Sequence, residues 1–287
     1  MGKHQIVVSA ENNPYMGWQC QLFYFSCVTR LNQQPLIIVH DSRSNWYSGF
    51  YDLVKAGCAV HPAPNYRVHG SGDNYACRNH PGSLIEAAKL ITDQNAFIVL
   101  CDADLIFTRT IEFPEILSGE FSSILNYESD SVSAASRELG IASERVYSQK
   151  DSLSCSVPYI IPAPQACEFG TTWLHAIDAF HPRQWEDVMY AFGLAVVKLG
   201  LKLNITRLAD TNYFPDEKVR AAIIHYAYAD ERWDKRHYFT VEQAAKVWDP
   251  VAETSAGSIL DEIFTQIRQA RDFYRDPYFP GRPVKSI

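Results

Sequence analysis

The residues with the clearest capacity for chemistry are Asp102 and Asp104, which end the run Ala-Phe-Ile-Val-Leu-Cys-Asp-Ala-Asp at residues 96–104. The apolar run Phe97 to Leu100 lacks polar alternation, so it reads as a buried central strand. In an extended segment residues two apart face the same side, so both acids are expected to converge just past the strand's carboxyl end. That is where open α/β sheets bind ligands. Two carboxylates this close repel each other unless a positive group lies between them, and a hard divalent cation with phosphate ligands meets that need. The same acids could also cap a turn that faces solvent.

A cation on two aspartates needs a further protein ligand. His225, which closes the apolar run Ala222-Ile223-Ile224, is the candidate because imidazole suits Mn²⁺. Lys235 and Arg236 follow shortly after and could meet diphosphate charge, although a solvated charged turn is the plainer account of them. Glu186 and Asp187 open a helical pattern, where acids ordinarily complement the macrodipole.

These residues need a scaffold, and the pattern supplies one. Gln5 to Ala10 predicts a strand, followed by a helix with Pro14 near its first turn. A strand at Leu36 to Val39, a helix at Trp46 to Ala56 closed by Gly57, and a short strand at Cys58 to His61 come next. A long polar loop spans residues 63–80, then a helix from Pro81 to Thr92 leads into the acid-bearing strand. Alternating strand and helix implies parallel pairing with right-handed crossovers. Beyond the acids, strands are expected at Phe121 to Tyr127, Val157 to Ile161, Leu201 to Ile205 and Ala221 to His225. Helices are expected from Gln165 to Phe180, from Gln184 to Leu199 and from Ser258 to Tyr274. The Ser-rich, acidic stretch 128–154 reads as an irregular or mobile insertion over the site, with one short helix at Ser133 to Leu139.

Composition narrows the function classes. The 287 residues are 47% apolar and 21% charged, as in an ordinary globular protein. A net charge of −7 and the lack of Lys/Arg clusters exclude nucleic acid as a favoured partner. No apolar run approaches the roughly 20 residues of a membrane span, and the N-terminal apolar stretch is too short for a signal peptide. Seven cysteines without metal-ligand spacing read as buried small hydrophobes in a reducing compartment, so a cytoplasmic location is expected.

The run Trp185-Glu186-Asp187 to Leu194, with Gly200, resembles the Glu-Asp helix that follows the metal site in GT-A glycosyltransferases. Asn13-Pro14-Tyr15 with Trp18-Gln19-Cys20, Asp102-Ala103-Asp104, Met189-Tyr190-Ala191-Phe192, Ile224 to Tyr228 and Asp234-Lys235-Arg236 occur in an order that extends the likeness. Together, from about residue 7 to 239, they resemble the hydroxyproline O-arabinosyltransferases and the peptidyl serine α-galactosyltransferases.

The resemblance implies an α/β GT-A-type nucleotide-diphospho-sugar transferase fold, with a mixed, mostly parallel central sheet flanked by helices. It also implies a UDP-sugar donor, a divalent metal (Mn²⁺ or Mg²⁺), and a hydroxyl acceptor on a peptide, protein or small molecule. It puts the metal at Asp102, Asp104 and His225. The nucleotide falls near Ser9, Ala10, Glu11, Asn12 and Asn79, with Asp102, Lys235 and Arg236 on the donor side. An acid at the helix start reaches the acceptor hydroxyl, and Asp187 is the candidate, with Glu186 as backup.

Those families transfer with retention. They usually carry Pro where Ala103 stands and Glu where Val188 stands, and they are membrane-anchored secretory proteins. The expected layout is one transferase domain over 1–287. Its nucleotide-binding half is 1–110, its acceptor and metal half 111–245, and a helical extension covers 246–287. Two alternatives belong to other classes: a phosphotransferase of the haloacid dehalogenase type, and a nucleotide-sugar-binding protein without turnover.

Overall fold

The computed structural model describes residues 3–41, 45–68 and 74–276. Residues 69–73 of the expected loop and 277–287 of the expected extension lie outside the described residues. The chain begins with β1 (His4–Glu11), α1 (Pro14–Ser26), β2 (Leu36–His40), α2 (Ser48–Ala56), β3 (Ala59–Ala63), α3 (Asn79–Leu90) and β4 (Phe97–Cys101). It continues through β5 (Leu105–Phe107), β6 (Ser118–Phe121), α4 (Asp130–Glu138), α5 (Ser143–Tyr147), α6 (Lys150–Leu153) and β7 (Cys155–Pro162). It ends with α7 (Ala166–Asp178), α8 (Asp187–Leu199), β8 (Asn204–Thr206), β9 (Ala209–Thr211), β10 (Ile223–His225), α9 (Val241–Ala244) and α10 (Ile259–Arg275).

Local signals account for most of these limits. Pro14 is the first helical residue of α1, and the Asn13 side chain caps it by accepting from the Met16 amide at 2.8 Å. Gly57 and Gly200 close α2 and α8 with φ of 97° and 67°, a left-handed conformation that glycine adopts without a side-chain clash. Ser258 caps α10 by accepting from the Asp261 amide.

Seven strands form the central sheet, in the order β3-β2-β1-β4-β7-β6-β8, and β5-β10-β9 form a smaller one. Pairing is parallel for β1 with β4 and for β6 with β8, whereas β7 is antiparallel to both β4 and β6. Along this part of the sheet β7 therefore runs alone against the others, which gives the expected mixed, mostly parallel arrangement. Ile98 to Cys101 of β4 are wholly buried, which is why that strand carries no polar alternation. Among the described residues no helix is long and apolar enough to cross a membrane.

Two compact units are built from interleaved segments. The first comprises Met1–Ser9, Ala63–Cys101 and Phe113–Arg207. Its core is aromatic: Tyr159 of β7 stacks on Phe192 of α8 at 4.0 Å, and Trp173 of α7 meets them edge-on at 5.2 and 5.1 Å. Each such side chain contributes about 2–3 kcal/mol by burial, and the edge-on geometry adds to it. The Trp173 indole also donates to the Val188 carbonyl at 2.7 Å, fixing the first turn of α8 against α7.

The second unit comprises Ala10–Pro62, Asp102–Glu112 and Leu208–Ile287. Helix α1 is buried from Gly17 to Ser26, so it is a core helix rather than an amphipathic one. Phe23 packs on Phe107 of β5, and Tyr24 and Phe25 pack on Phe273 of α10. Gln266 of α10 donates to the Phe107 carbonyl at 2.9 Å, which ties that helix to β5.

Several expectations are corrected. No strand spans Phe121 to Tyr127; β6 lies just before it, at Ser118–Phe121. It was hidden because its Ser-Gly-Glu sequence is polar, yet β6 is a central strand and the buried Glu120 carboxylate accepts from the Thr206 hydroxyl at 2.8 Å. The stretch 128–154 is not irregular but folds into α4, α5 and α6, whose Val132, Ala135, Val146 and Leu153 are buried. Strands β5 and β9 were not expected, since three residues show no periodicity.

Candidate metal centre

After β4 the chain reverses immediately. Residues 102–104 form a tight turn closed by the Leu105 amide donating to the Asp102 carbonyl at 3.3 Å, and β5 begins at Leu105. It is this turn, and not the strand geometry expected from the sequence, that brings the acids together. β10 pairs antiparallel with β5 and sets His225 opposite Leu105, so register alone carries the imidazole to the turn.

Tyr226, the next residue, holds the turn in place. Its amide donates to the Asp104 carbonyl at 3.0 Å and its phenol donates to the Ala103 carbonyl at 3.3 Å. The ring is fully buried in a cluster with Trp18, Trp233 and Tyr238, and the Trp18 indole donates to the Tyr238 carbonyl at 3.2 Å.

One ligand atom each from Asp102, Asp104 and His225 lies within 4.8 Å of the other two. The His225 Nε2 is 3.3 Å from Asp104 Oδ1, and the Lys235 ammonium pairs with Asp104 Oδ2. Burial alone would push the Asp104 carboxyl up, but Lys235 and then His225 outweigh it and hold the group well below the usual carboxylate range. Burial would likewise lower His225 and Lys235, yet the Asp104 carboxylate holds both above their ordinary values. Two hard oxygens and an imidazole nitrogen in so small a span fit a divalent ion of the Mn²⁺ or Mg²⁺ kind.

Around this cluster the expected donor-side residues have defined partners. Asp234 caps the turn 235–237 by accepting from the Arg236 amide at 2.9 Å, and it also forks the Arg236 guanidinium at 2.8–3.0 Å. Arg236 is mostly exposed, whereas only 12% of the Lys235 side chain is.

Ser9 and Ala10 are buried near the end of β1, and Glu11 is its last residue. The Asn12 side chain donates to Asp41 and to the Asn45 carbonyl and accepts from the Tyr47 amide at 2.7 Å, which fixes the β1–α1 connection. Asn79 opens α3 and accepts from the Tyr66 amide at 2.9 Å.

Asp187 belongs to the first unit, where it is the first residue of α8 and 3% exposed. Its carboxylate accepts from the Gln184 amide at 2.6 Å. Burial pushes its carboxyl up, against the pull of that amide. Glu186 occupies the cap position without making a side-chain cap bond. Tyr75 braces this helix start by donating to the Trp185 carbonyl at 2.9 Å and accepting from the Val188 amide at 3.2 Å.

Sequence reasoning missed three contributors: Tyr226 as the holder of the turn, Lys235 as the partner of Asp104, and Tyr15. Tyr15 stacks flat on Phe239 at 4.0 Å, and its phenol, raised by burial, senses Lys235 and Asp104. Tyr15 and Tyr226 stand inside motifs already singled out, so adjacency to Asn13-Pro14 and to His225 was the available signal.

This is the fold of the GT-A glycosyltransferases. The galactosyltransferase LgtC, solved with donor and acceptor sugar analogues, matches with a TM-score of 0.53 at 12% identity, covering 93% of this chain and 95% of LgtC. An active-site mutant of LgtC matches with a TM-score of 0.52 at 13% identity, covering 92% of this chain and 95% of that one. The bifunctional glycosyltransferase WbbM matches with a TM-score of 0.50 at 12% identity, covering 94% of this chain but 51% of WbbM. No protein-family model and no curated protein matches the sequence.

Proposed function

We propose that this chain is a metal-dependent glycosyltransferase that moves a sugar from a UDP-sugar to a hydroxyl acceptor, with the described fold acting as one transferase domain. The observation that carries this reading is the Asp102, Asp104 and His225 cluster, set at the end of the buried strand β4 in a fold of the GT-A kind. Mn²⁺ is favoured over Mg²⁺ because an imidazole takes part. When bound, the ion supplies charge stabilisation for the departing diphosphate.

The protein's own residues do the rest. Asp102 and Asp104 hold the cation, and Tyr226 keeps their turn from relaxing when charge is added to it. Lys235 and Arg236 serve the diphosphate, and residues 9–12 with Asn79 serve the nucleotide. Asp187 handles the acceptor hydroxyl or orients it, with Glu186 as its backup. The raised carboxyl of Asp187 suits a group that takes up a proton. The ordered motifs shared with the hydroxyproline arabinosyl- and serine galactosyltransferases favour a hydroxylated or serine-containing peptide as acceptor, and transfer with retention. None of the seven cysteines is in a disulfide and five are buried, which favours a reducing, cytoplasmic setting.

The test is thermal-shift titration with UDP and a panel of UDP-sugars, with and without Mn²⁺, followed by assay for sugar transfer or hydrolysis. UDP is expected to raise the melting temperature only when Mn²⁺ is present. Metal-independent binding, or none, would overturn the proposal. Binding without any turnover would instead favour a nucleotide-sugar-binding protein.

A further inference from the structure

The contact between Lys235 and Asp104 carries an inference that rests on the metal reading above. The Asp104 side chain is 10% exposed, and a carboxylate so buried is strongly unfavourable without a counter-charge. Lys235 sits on Oδ2 while His225 Nε2 lies 3.3 Å from Oδ1, so both oxygens of the carboxylate are engaged. A divalent ion held by Asp102, Asp104 and His225 would draw on the same carboxylate and bring like charge against the ammonium.

We infer that Lys235 competes with a divalent ion for the Asp104 carboxylate, and that it must give up this contact when the ion binds. The local backbone suits such an exchange. Asp234 caps the turn 235–237 and forks Arg236, so the backbone at Lys235 is anchored and an exchange needs only a change of rotamer along its four-carbon stem. The released ammonium then needs a new anion, and a phosphate oxygen of the donor supplies one. Two consequences follow: Lys235 weakens metal binding in the absence of nucleotide, and it couples the two ligands, so that Mn²⁺ and UDP each tighten the other's binding by the same factor.

The test compares the full-length wild type with Lys235→Met, both stripped of metal, by titrating Mn²⁺ and reading the free ion by electron paramagnetic resonance. Without nucleotide, Lys235→Met is expected to bind Mn²⁺ about tenfold more tightly, the scale of one partly buried ion pair. Adding UDP should tighten Mn²⁺ binding in wild type by more than in the variant. Unchanged or weaker binding by Lys235→Met overturns this inference alone, whereas no Mn²⁺ binding by wild type overturns the metal reading and the inference with it.

A second measurement needs no variant. Acetylation of Lys235 in wild type, followed by mass spectrometry, should rise on addition of Mn²⁺ and fall again when UDP is added. A reactivity that Mn²⁺ leaves unchanged would also overturn the inference.

Discussion

Two desolvated aspartates, Asp104 and Asp187, differ in what surrounds them, and the difference separates their chemistry. Asp104 faces the Lys235 ammonium and the His225 imidazole, which hold its carboxyl well below the usual carboxylate range. Asp187 has a single backbone amide as its hydrogen-bond donor, and burial drives its carboxyl upward. Nearly equal burial thus gives one group suited to holding cations and another suited to accepting a proton. The partners, and not the depth, set the role.

Asp104→Ala should break the first half of this comparison most severely. It is expected to abolish Mn²⁺ binding and turnover, and to lower the stability of the metal-free protein by about 3–5 kcal/mol by leaving Lys235 buried without a partner. Urea denaturation and Mn²⁺ titration read the two effects, and a variant as stable as wild type would show that the ion pair carries no structural weight.

Asp187→Asn sharpens the other half. Turnover should fall about a hundredfold or more, with the Mn²⁺ dissociation constant unchanged, and an unchanged rate would remove Asp187 from the mechanism. Its stability should depend on pH in a set direction. A raised native pKa means the folded state holds the proton more tightly than the unfolded chain, so ionising Asp187 costs stability as pH climbs from the unfolded value through the raised native one. Asn escapes that cost, so the variant should match wild type in acid and exceed it near neutral pH.

Gly193→Ala should give the smallest effect. A Cβ there would lie 2.8 Å from Tyr127 Cζ, and the Tyr127 phenol is tied down by donating to the Leu153 carbonyl at 3.1 Å. The expected loss is about 1–3 kcal/mol, with Mn²⁺ affinity intact. A change in Mn²⁺ affinity would mean that the packing of α8 bears on the acid turn.

Long elements with strong local signals were legible in the sequence. β4 announced itself by its apolar run, α1 by Asn13 and Pro14, α8 by its closing Gly200, and α10 by Ser258 ahead of its apolar stripe. The candidate ligand types were legible too, because an acid pair after a buried strand and a histidine after another are patterns in residue identity. β6 was misread because its burial comes from its neighbours β7 and β8 and not from its own polar residues. The helices at 130–153 were misread because few of their residues are apolar, though Ser129 caps the first by accepting from the Val132 amide.

By itself, then, the sequence determined the α/β alternation, the buried acid-bearing strand and the residues that could hold a cation, since these follow from local hydrophobicity and side-chain chemistry, while the GT-A type came from the resemblance. Tertiary structure alone decided that a turn brings Asp102 and Asp104 together, that pairing of β10 with β5 delivers His225, and that Lys235 neutralises Asp104. The last two facts join residues more than a hundred positions apart, and strand register and charge pairing over such separations leave no trace in local periodicity.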